Sequence, residues 1–143
     1  MWRTVILMMW VGVCGAAELP RDDAAGHAPG YSVDCQEGVT DARQCKVDAQ
    51  TLLGWRAFHT HCAQCHGGSG LGSTFAPNLQ ERFNSRVDYA RFSYVLQHGY
   101  HGQVGVMPSF AQNKAVLAAR DALYAYLSAR GKGALPPGRP QAQ

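Results

Sequence analysis

The spacing of apolar and polar side chains predicts three helices, all in the later part of the chain. In the first, Leu52, Trp55, Phe58 and Cys62 recur at steps of three and four residues, which places them on one face of a helix. We therefore predict a first amphipathic helix over residues 49–62.

Helix-start and helix-stop signals mark the other two helices. Ser85–Asp88 is a capping-box pattern, and Gly99 is a suitable stop, so a second helix is expected over residues 85–98. A third is expected over 114–130, ending before Gly131. The residues expected to be buried on these two helices are Phe92, Val95, Leu96, Val116, Ala119, Leu123, Tyr126 and Leu127.

The remaining segments favour loops over strands. Residues 67–83 are rich in glycine, and residues 131–143 contain three prolines and three glycines, so we expect both to be irregular. No segment alternates apolar and polar residues in the way a strand does. The predicted fold class is all-α, with three main helices and glycine-rich loops.

The N-terminus has the layout of a secretory signal peptide over residues 1–17. Arg3 supplies a positive charge, an apolar run follows over 5–13, and small residues lead to a cleavage site after Ala17. The apolar run is shorter than the ~20 residues that span a bilayer, so no membrane span is expected after cleavage. An uncleaved anchor and a lipidated Cys14 are the alternatives. Export predicts a periplasmic protein.

Charge is distributed unevenly along the mature chain. The whole sequence holds 13 Lys and Arg against 10 Asp and Glu, a net +3 that is too weak and scattered to indicate nucleic-acid binding. The extension over 18–48 is acidic, whereas residues 49–143 hold nine basic and three acidic side chains. The molecule is therefore expected to be dipolar. Candidates for steering a partner are Arg56, Arg82, Arg86 and Arg91.

The chemistry is carried by Cys62-Ala63-Gln64-Cys65-His66, the C-x-x-C-H attachment signature of c-type haem. Two thiols three residues apart share a helix face and can form thioethers with the two vinyl groups of one haem, which leaves His66 beneath the iron. A thioredoxin-type dithiol would need a β-α-β context. A zinc site with Cys35 and Cys45 would use a pair ten residues apart, unlike common zinc sites.

The second axial ligand is predicted to be Met107. It follows His66 by 41 residues, precedes Pro108, and is the only methionine left after signal cleavage. A thioether opposite histidine raises the reduction potential of a cytochrome. His98 and His101 are the rival ligands.

Cys35 and Cys45 are left over in an exported chain, where unpaired thiols seldom persist. A disulfide between them is expected in the extension.

Over about residues 49–130 the sequence resembles the class I cytochromes c. The motifs that carry the resemblance are Gly54-x-x-x-Phe58, Cys62-x-x-Cys65-His66, Pro77-Asn78-Leu79, Met107-Pro108 and Leu123-x-x-Tyr126-Leu127. The resemblance implies an all-α fold around one covalent haem c, with first and last helices crossing at Gly54 and Tyr126. It also implies that the Pro77 carbonyl accepts a hydrogen bond from His66.

A closer resemblance is to the periplasmic PedF-type and cytochrome cL-related electron acceptors of quinoprotein alcohol dehydrogenases. It rests on residues 54–58, 72–79, 124–130 and 133–140. It implies a monomeric one-electron carrier, not an enzyme. The implied donor is a PQQ-dependent alcohol dehydrogenase, and the acceptor is a terminal oxidase or another cytochrome.

Two other functions remain open from the sequence. A haem c subunit of a larger oxidoreductase complex would have the same fold. A haem sensor or enzyme with an open iron position would need acid–base groups above the iron, for which only His98 and His101 are candidates.

Overall fold

The computed structural model describes residues 28–85 and 87–143. The predicted signal peptide, the start of the acidic extension and Arg86 lie outside the described residues. Within the described ranges, no helix is both long enough and apolar enough to cross a membrane.

The described part of the chain contains six α-helices and a short 3₁₀ helix. The 3₁₀ helix is Ala42–Gln44, and the α-helices are α1 (Ala49–His61), α2 (Ala63–His66), α3 (Leu79–Ser85), α4 (Tyr89–His98), α5 (Lys114–Ala118) and α6 (Arg120–Gly131).

The core is organised around the contact between α1 and α6. The backbones approach so closely that a methyl group at Gly54 would lie 1.9 Å from the carbonyl oxygen of Ala122. One turn further along α1, the buried Phe58 ring lies 5.4 Å from the Tyr126 ring. Glycine is therefore needed at the crossing because any side chain would push the two helices apart.

Helix α3 packs on the C-terminal end of α6. A methyl group at Gly131 would lie 2.5 Å from the Cβ of Phe83. Phe83 is buried and meets Phe92 of α4 edge to face, with ring centroids 5.7 Å apart. This aromatic contact joins α3, α4 and the end of α6 in one core.

Five short strands lie outside the helices, and the sequence pattern did not predict them. Each has two or three residues, too few to show an alternating pattern. They are β1 (Val33–Cys35), β2 (Cys45–Val47), β3 (Tyr100–His101), β4 (Val106–Met107) and β5 (Gln141–Ala142).

The strands form two small sheets. In the first, β2 lies between β1, which is antiparallel to it, and β5, which is parallel to it. The C-terminal tail, predicted to be irregular, therefore ends as a strand against the N-terminal extension. In the second, β3 and β4 form a hairpin in which Tyr100 is paired with Met107.

The extension is closed by a disulfide and is hydrogen-bonded to the tail. Cys35 is opposite Cys45 in the β1–β2 register, and their sulfur atoms are bonded at 2.00 Å. The Ala42 amide donates to the Pro137 carbonyl at 2.8 Å. Cys45 and Val47 are fully buried, so the extension contributes to the core.

Capping explains where the helices differ from their predicted limits. The Asp88 carboxylate accepts from the Arg91 amide, so α4 begins at Tyr89 and not at the predicted Ser85. The predicted helix over 114–130 is interrupted at Ala119, where ψ is 5°. Helix α3 lies partly in the segment predicted to be a loop. The prediction was wrong there because the helix has only seven residues and follows a glycine- and proline-rich stretch.

Replacing Gly54 with alanine should weaken the α1–α6 crossing. The added methyl group would meet backbone that cannot rotate away, so we expect a loss of about 3 kcal/mol in the free energy of unfolding. Denaturant unfolding of the haem-loaded protein measures it. Gly30→Ala is the control, since nothing lies within 4 Å of the added methyl group. Equal stability of the two variants would contradict the interpretation.

Asp48 is expected to make stability depend on pH. Burial raises the pKa of its carboxyl group, but hydrogen bonds from the backbone and hydroxyl of Thr51 and from the Ser32 amide outweigh it and lower the pKa overall. A lowered pKa contributes stability above the unfolded value of about 4, and this stability is lost as the pH falls through the folded value.

The matching experiment compares Asp48→Ala with the wild type across pH. At neutral pH the loss of the helix cap should cost about 1–2 kcal/mol in denaturant unfolding, and the difference should shrink below about pH 4. Asp34→Ala, an exposed aspartate on β1, is the control. A difference that stays constant down to acidic pH would refute the role given to the carboxylate.

Candidate haem-binding site

The C-x-x-C-H motif lies at the junction of α1 and α2. Cys62 terminates α1 and its carbonyl accepts from the amides of Cys65 and His66, at 3.1 and 2.9 Å. This single turn sets the two cysteines beside each other. Both thiols are free, with Cys62 partly buried and Cys65 exposed. Burial, and to a smaller extent Cys65, raises the pKa of the Cys62 thiol to about 11.

His66 is the buried member of the motif. Its Nδ1 lies 3.2 Å from the Pro77 carbonyl oxygen, so Nδ1 donates this bond and Nε2 remains available to a metal. Burial lowers the pKa of the imidazole, and this outweighs the opposite effect of the Pro77 hydrogen bond. A neutral, oriented imidazole is the form in which histidine ligates iron.

The Pro77 loop is held against the motif by Gly72. The Gly72 amide donates to the His66 carbonyl at 2.9 Å. Its φ is +87°, and a methyl group there would lie 2.7 Å from the Asn78 amide nitrogen. Only glycine combines this conformation with such a close approach, so the loop geometry that presents the Pro77 carbonyl depends on it.

Met107 is partly buried on strand β4 and is positioned by the C-terminal end of α4. Gly99 has φ at +76°, and a methyl group added to it would lie 2.6 Å from the carbonyl oxygen of Met107. The absence of a side chain at Gly99 therefore lets the Met107 backbone approach the end of α4. Beyond the strand, Ser109 donates to the Gln97 carbonyl, and the Phe110 amide donates to the Leu96 carbonyl at 2.9 Å. The methionine segment is thus fixed to the end of α4 at Met107 itself and at the residues that follow it.

The Met107 hairpin and the Pro77 loop touch each other. A methyl group at Gly105, in the hairpin, would lie 2.2 Å from the Phe75 carbonyl oxygen. Large exposed apolar side chains are concentrated on these two segments: Leu71, Phe75, Val104 and Val106. The donor set of two thiols, a neutral imidazole and a thioether, flanked by apolar loops, fits a c-type haem.

Of the other histidines, His98 and His59 are hydrogen-bonded to the backbone of their own helices. His98 stacks on Tyr94, with ring centroids 4.2 Å apart, and its Nδ1 lies 2.9 Å from the Tyr94 carbonyl. His59 makes the equivalent contact with the Trp55 carbonyl at 2.9 Å. His101 is exposed and is paired with Val106 across the hairpin. These contacts hold the His98 ring against α4. His101 lies in the same hairpin as Met107, opposite the residue that precedes it.

Arg130 is a supporting residue that the sequence analysis missed. It is 4% exposed, and its guanidinium donates to the Leu135 carbonyl and, at 3.1 Å, to the Ser69 carbonyl. It therefore connects the end of α6 with the loop that follows the motif. The available signal was an arginine three residues after Leu127, in line with the apolar face of the helix.

Comparison with known proteins identifies the class. Residues 49–127 match the family described as cytochrome c oxidase, cbb3-type, subunit III, so the chain belongs to this family of class I c-type cytochromes. Haem c, bound covalently, is the cofactor of the family.

Two curated cytochromes are similar to the chain. Cytochrome c-553I of Paracoccus denitrificans is 40% identical over 104 residues, which cover 69% of this chain and 45% of that protein. Cytochrome c-555 of Methylococcus capsulatus is 33% identical over 93 residues, covering 64% of this chain and 72% of that protein. The match thus spans less than half of the Paracoccus protein.

A solved structure shares the fold. The crystal structure of c-type cytochrome XoxG from Methylobacterium extorquens AM1 is similar with a TM-score of 0.64 and 41% sequence identity. The match covers 68% of this chain and 60% of that chain. The coarse prediction of a helical cytochrome c fold is therefore confirmed.

Proposed function

We propose that the protein is a periplasmic one-electron carrier. Cys62 and Cys65 hold one haem by thioether bonds, and His66 and Met107 are its axial ligands. The observation that carries the proposal is the placement of two free thiols and a buried, oriented imidazole on one turn. When bound, the haem supplies a reversible one-electron redox centre.

The residues of the chain have separate tasks around that group. The Pro77 carbonyl fixes the orientation of His66, and the end of α4 fixes Met107. The exposed apolar side chains of the two loops would cover a bound haem and exclude water from it, and solvent exposure is one of the factors that set the reduction potential of a redox centre. With the Met107 sulfur as a ligand, the iron would have no open position. This argues against a sensor or an enzyme, both of which need one.

The proposed electron donor is a quinoprotein alcohol dehydrogenase that uses PQQ, and the acceptor is a terminal oxidase or another cytochrome. The donor follows from the resemblance of residues 54–58, 72–79, 124–130 and 133–140 to the acceptors of such enzymes. The second candidate is a haem subunit of a larger complex. It is favoured by the family description, which names an oxidase subunit, and by the partial coverage of the Paracoccus cytochrome.

Met107→Ala is expected to remove the sulfur-to-iron absorption band of the oxidised protein, lower the reduction potential and let small ligands bind the iron. Gly99→Ala should do the same in part, because its methyl group would displace the Met107 carbonyl while the haem stays covalently attached. Visible spectra and redox titration measure both effects.

Gly68→Ala is the control for these variants, since nothing lies within 4 Å of its added methyl group. Its spectrum and potential should equal those of the wild type. An unchanged spectrum in Met107→Ala, together with lost ligation in His98→Ala or His101→Ala, would establish coordination by two histidines instead.

Electron transfer from a purified quinoprotein dehydrogenase should be rapid and should slow as salt is added. Carrier complexes bury little surface, typically below about 1,200 Å², so their association depends on charge. Stopped-flow reduction at several salt concentrations measures the rate. A mitochondrial-type cytochrome is the control. Reduction no faster than that of the control at every salt concentration would reject the proposed donor.

A further inference from the structure

Three arginines from distant parts of the sequence line one cleft. The cleft lies between α1, the 3₁₀ helix and β5 and has a volume of about 450 Å³. Its charged lining consists of Arg43, Arg56 and Arg139. The rest of the lining is uncharged: Leu52, Pro140, Gln141 and Ala142. In the part of the chain that the structure describes, no acidic side chain lines it.

Two of the three guanidinium groups are held in place before any ligand binds. Asp41 accepts from Arg43 at 2.9 and 2.6 Å, and Gln141 donates to the Arg43 carbonyl. The Arg139 guanidinium lies over the Trp55 ring, 5.6 Å from its centroid. A side chain that is already ordered loses less conformational entropy on binding, so this cleft is better prepared for a ligand than a patch of free side chains.

The chemistry of the lining selects an anion. Asp41 balances one positive charge, while Arg56 and Arg139 make no ion pair with any residue in the described ranges. Guanidinium groups bind carboxylates through paired hydrogen bonds. Leu52 and Pro140 add an apolar surface beside the charges. A short polypeptide segment with two or three carboxylates and one apolar side chain matches both features.

The cleft is close enough to the haem motif to belong to the same docking surface. Arg56 precedes Cys62 by six residues on α1, or ~9 Å along the helix axis. A carrier interface of about 600 Å² per partner has a radius of roughly 14 Å. Along the helix axis, the end of α1 that carries the motif therefore lies within the radius of an interface centred on the cleft.

We propose that this cleft is the docking site for an acidic segment of the redox partner. The inference rests on the proposed carrier function and identifies the chemistry of its partner. It also changes the set of steering candidates: Arg56 is kept and Arg43 and Arg139 are added, whereas Arg82 and Arg91 do not line the cleft.

The first test detects binding directly. The reduced protein, labelled with ¹⁵N-arginine, is titrated with the blocked peptide Glu-Leu-Asp-Glu. The side-chain signals of Arg43, Arg56 and Arg139 should shift with one common dissociation constant, and the Arg120 signal should not. The neutral peptide Gln-Leu-Asn-Gln is the control. Absence of shifts, or equal shifts at Arg120, would overturn the proposal.

The second test measures docking in electron transfer. At low salt, Arg56→Glu/Arg139→Glu should lower the second-order rate constant for reduction by the dehydrogenase by about tenfold. Lys114→Glu/Lys132→Glu changes the net charge equally on exposed residues outside the cleft and should change the rate less than about twofold. Equal losses in both variants would refute a specific site.

The two tests separate this inference from the proposed donor. If the dehydrogenase fails to reduce even the wild type, the donor assignment is wrong, and the peptide titration still decides whether the cleft binds acidic segments. If the wild type is reduced rapidly and the cleft variant equally fast, the carrier function stands and the docking site is wrong.

Discussion

The close crossing of α1 and α6 determines where the haem motif is placed. Gly54 lets the α1 backbone rest on Ala122, and Cys62 is the residue that ends α1. The direction in which the thiols and His66 leave the helix is therefore set eight residues before Cys62, at the glycine that contacts α6. Helix α6 also supports α3 through Gly131, and α3 begins two residues after Pro77. One helix thus orients both the imidazole and the carbonyl that it hydrogen-bonds.

The methionine side is supported by a different element. Met107 depends on the C-terminal end of α4, through the close approach at Gly99 and the hydrogen bonds made by Ser109 and Phe110 just after the strand. The two axial candidates consequently rest on separate supports, and only the histidine side is also secured by adjacent thiols. If Met107 is the axial ligand as proposed, loosening the end of α4 would release its sulfur while the histidine side stays intact. Because Met107 has no covalent anchor beside it, its position depends on the hydrogen bonds and close contacts with the end of α4.

Sequence reasoning predicted features encoded by neighbouring residues. The thiols and His66 are adjacent in the chain, and the long amphipathic stretches gave α1, α4 and most of α6. The predicted start of α4 was wrong because a single carboxylate, that of Asp88, caps the helix and sets its first residue. The sheet could not be predicted because β2 and β5 are separated by nearly the whole domain and each is only two or three residues long. The support of Met107 by Gly99 was missed for a different reason, since it follows from a turn and not from periodicity.

Charge shows most clearly how folding changes what the sequence indicates. The extension is acidic as a segment, yet it supplies Arg43 to the basic cleft, and its own Asp41 orients that arginine. Arg56 comes from α1 and Arg139 from the tail, so three segments with different net charges contribute to one surface. Counting charge by segment predicts a dipole, whereas the folded chain has a localised and partly ordered set of donors. Because an ordered guanidinium loses less entropy on binding, such a set can select a partner without the large interface that would slow its release.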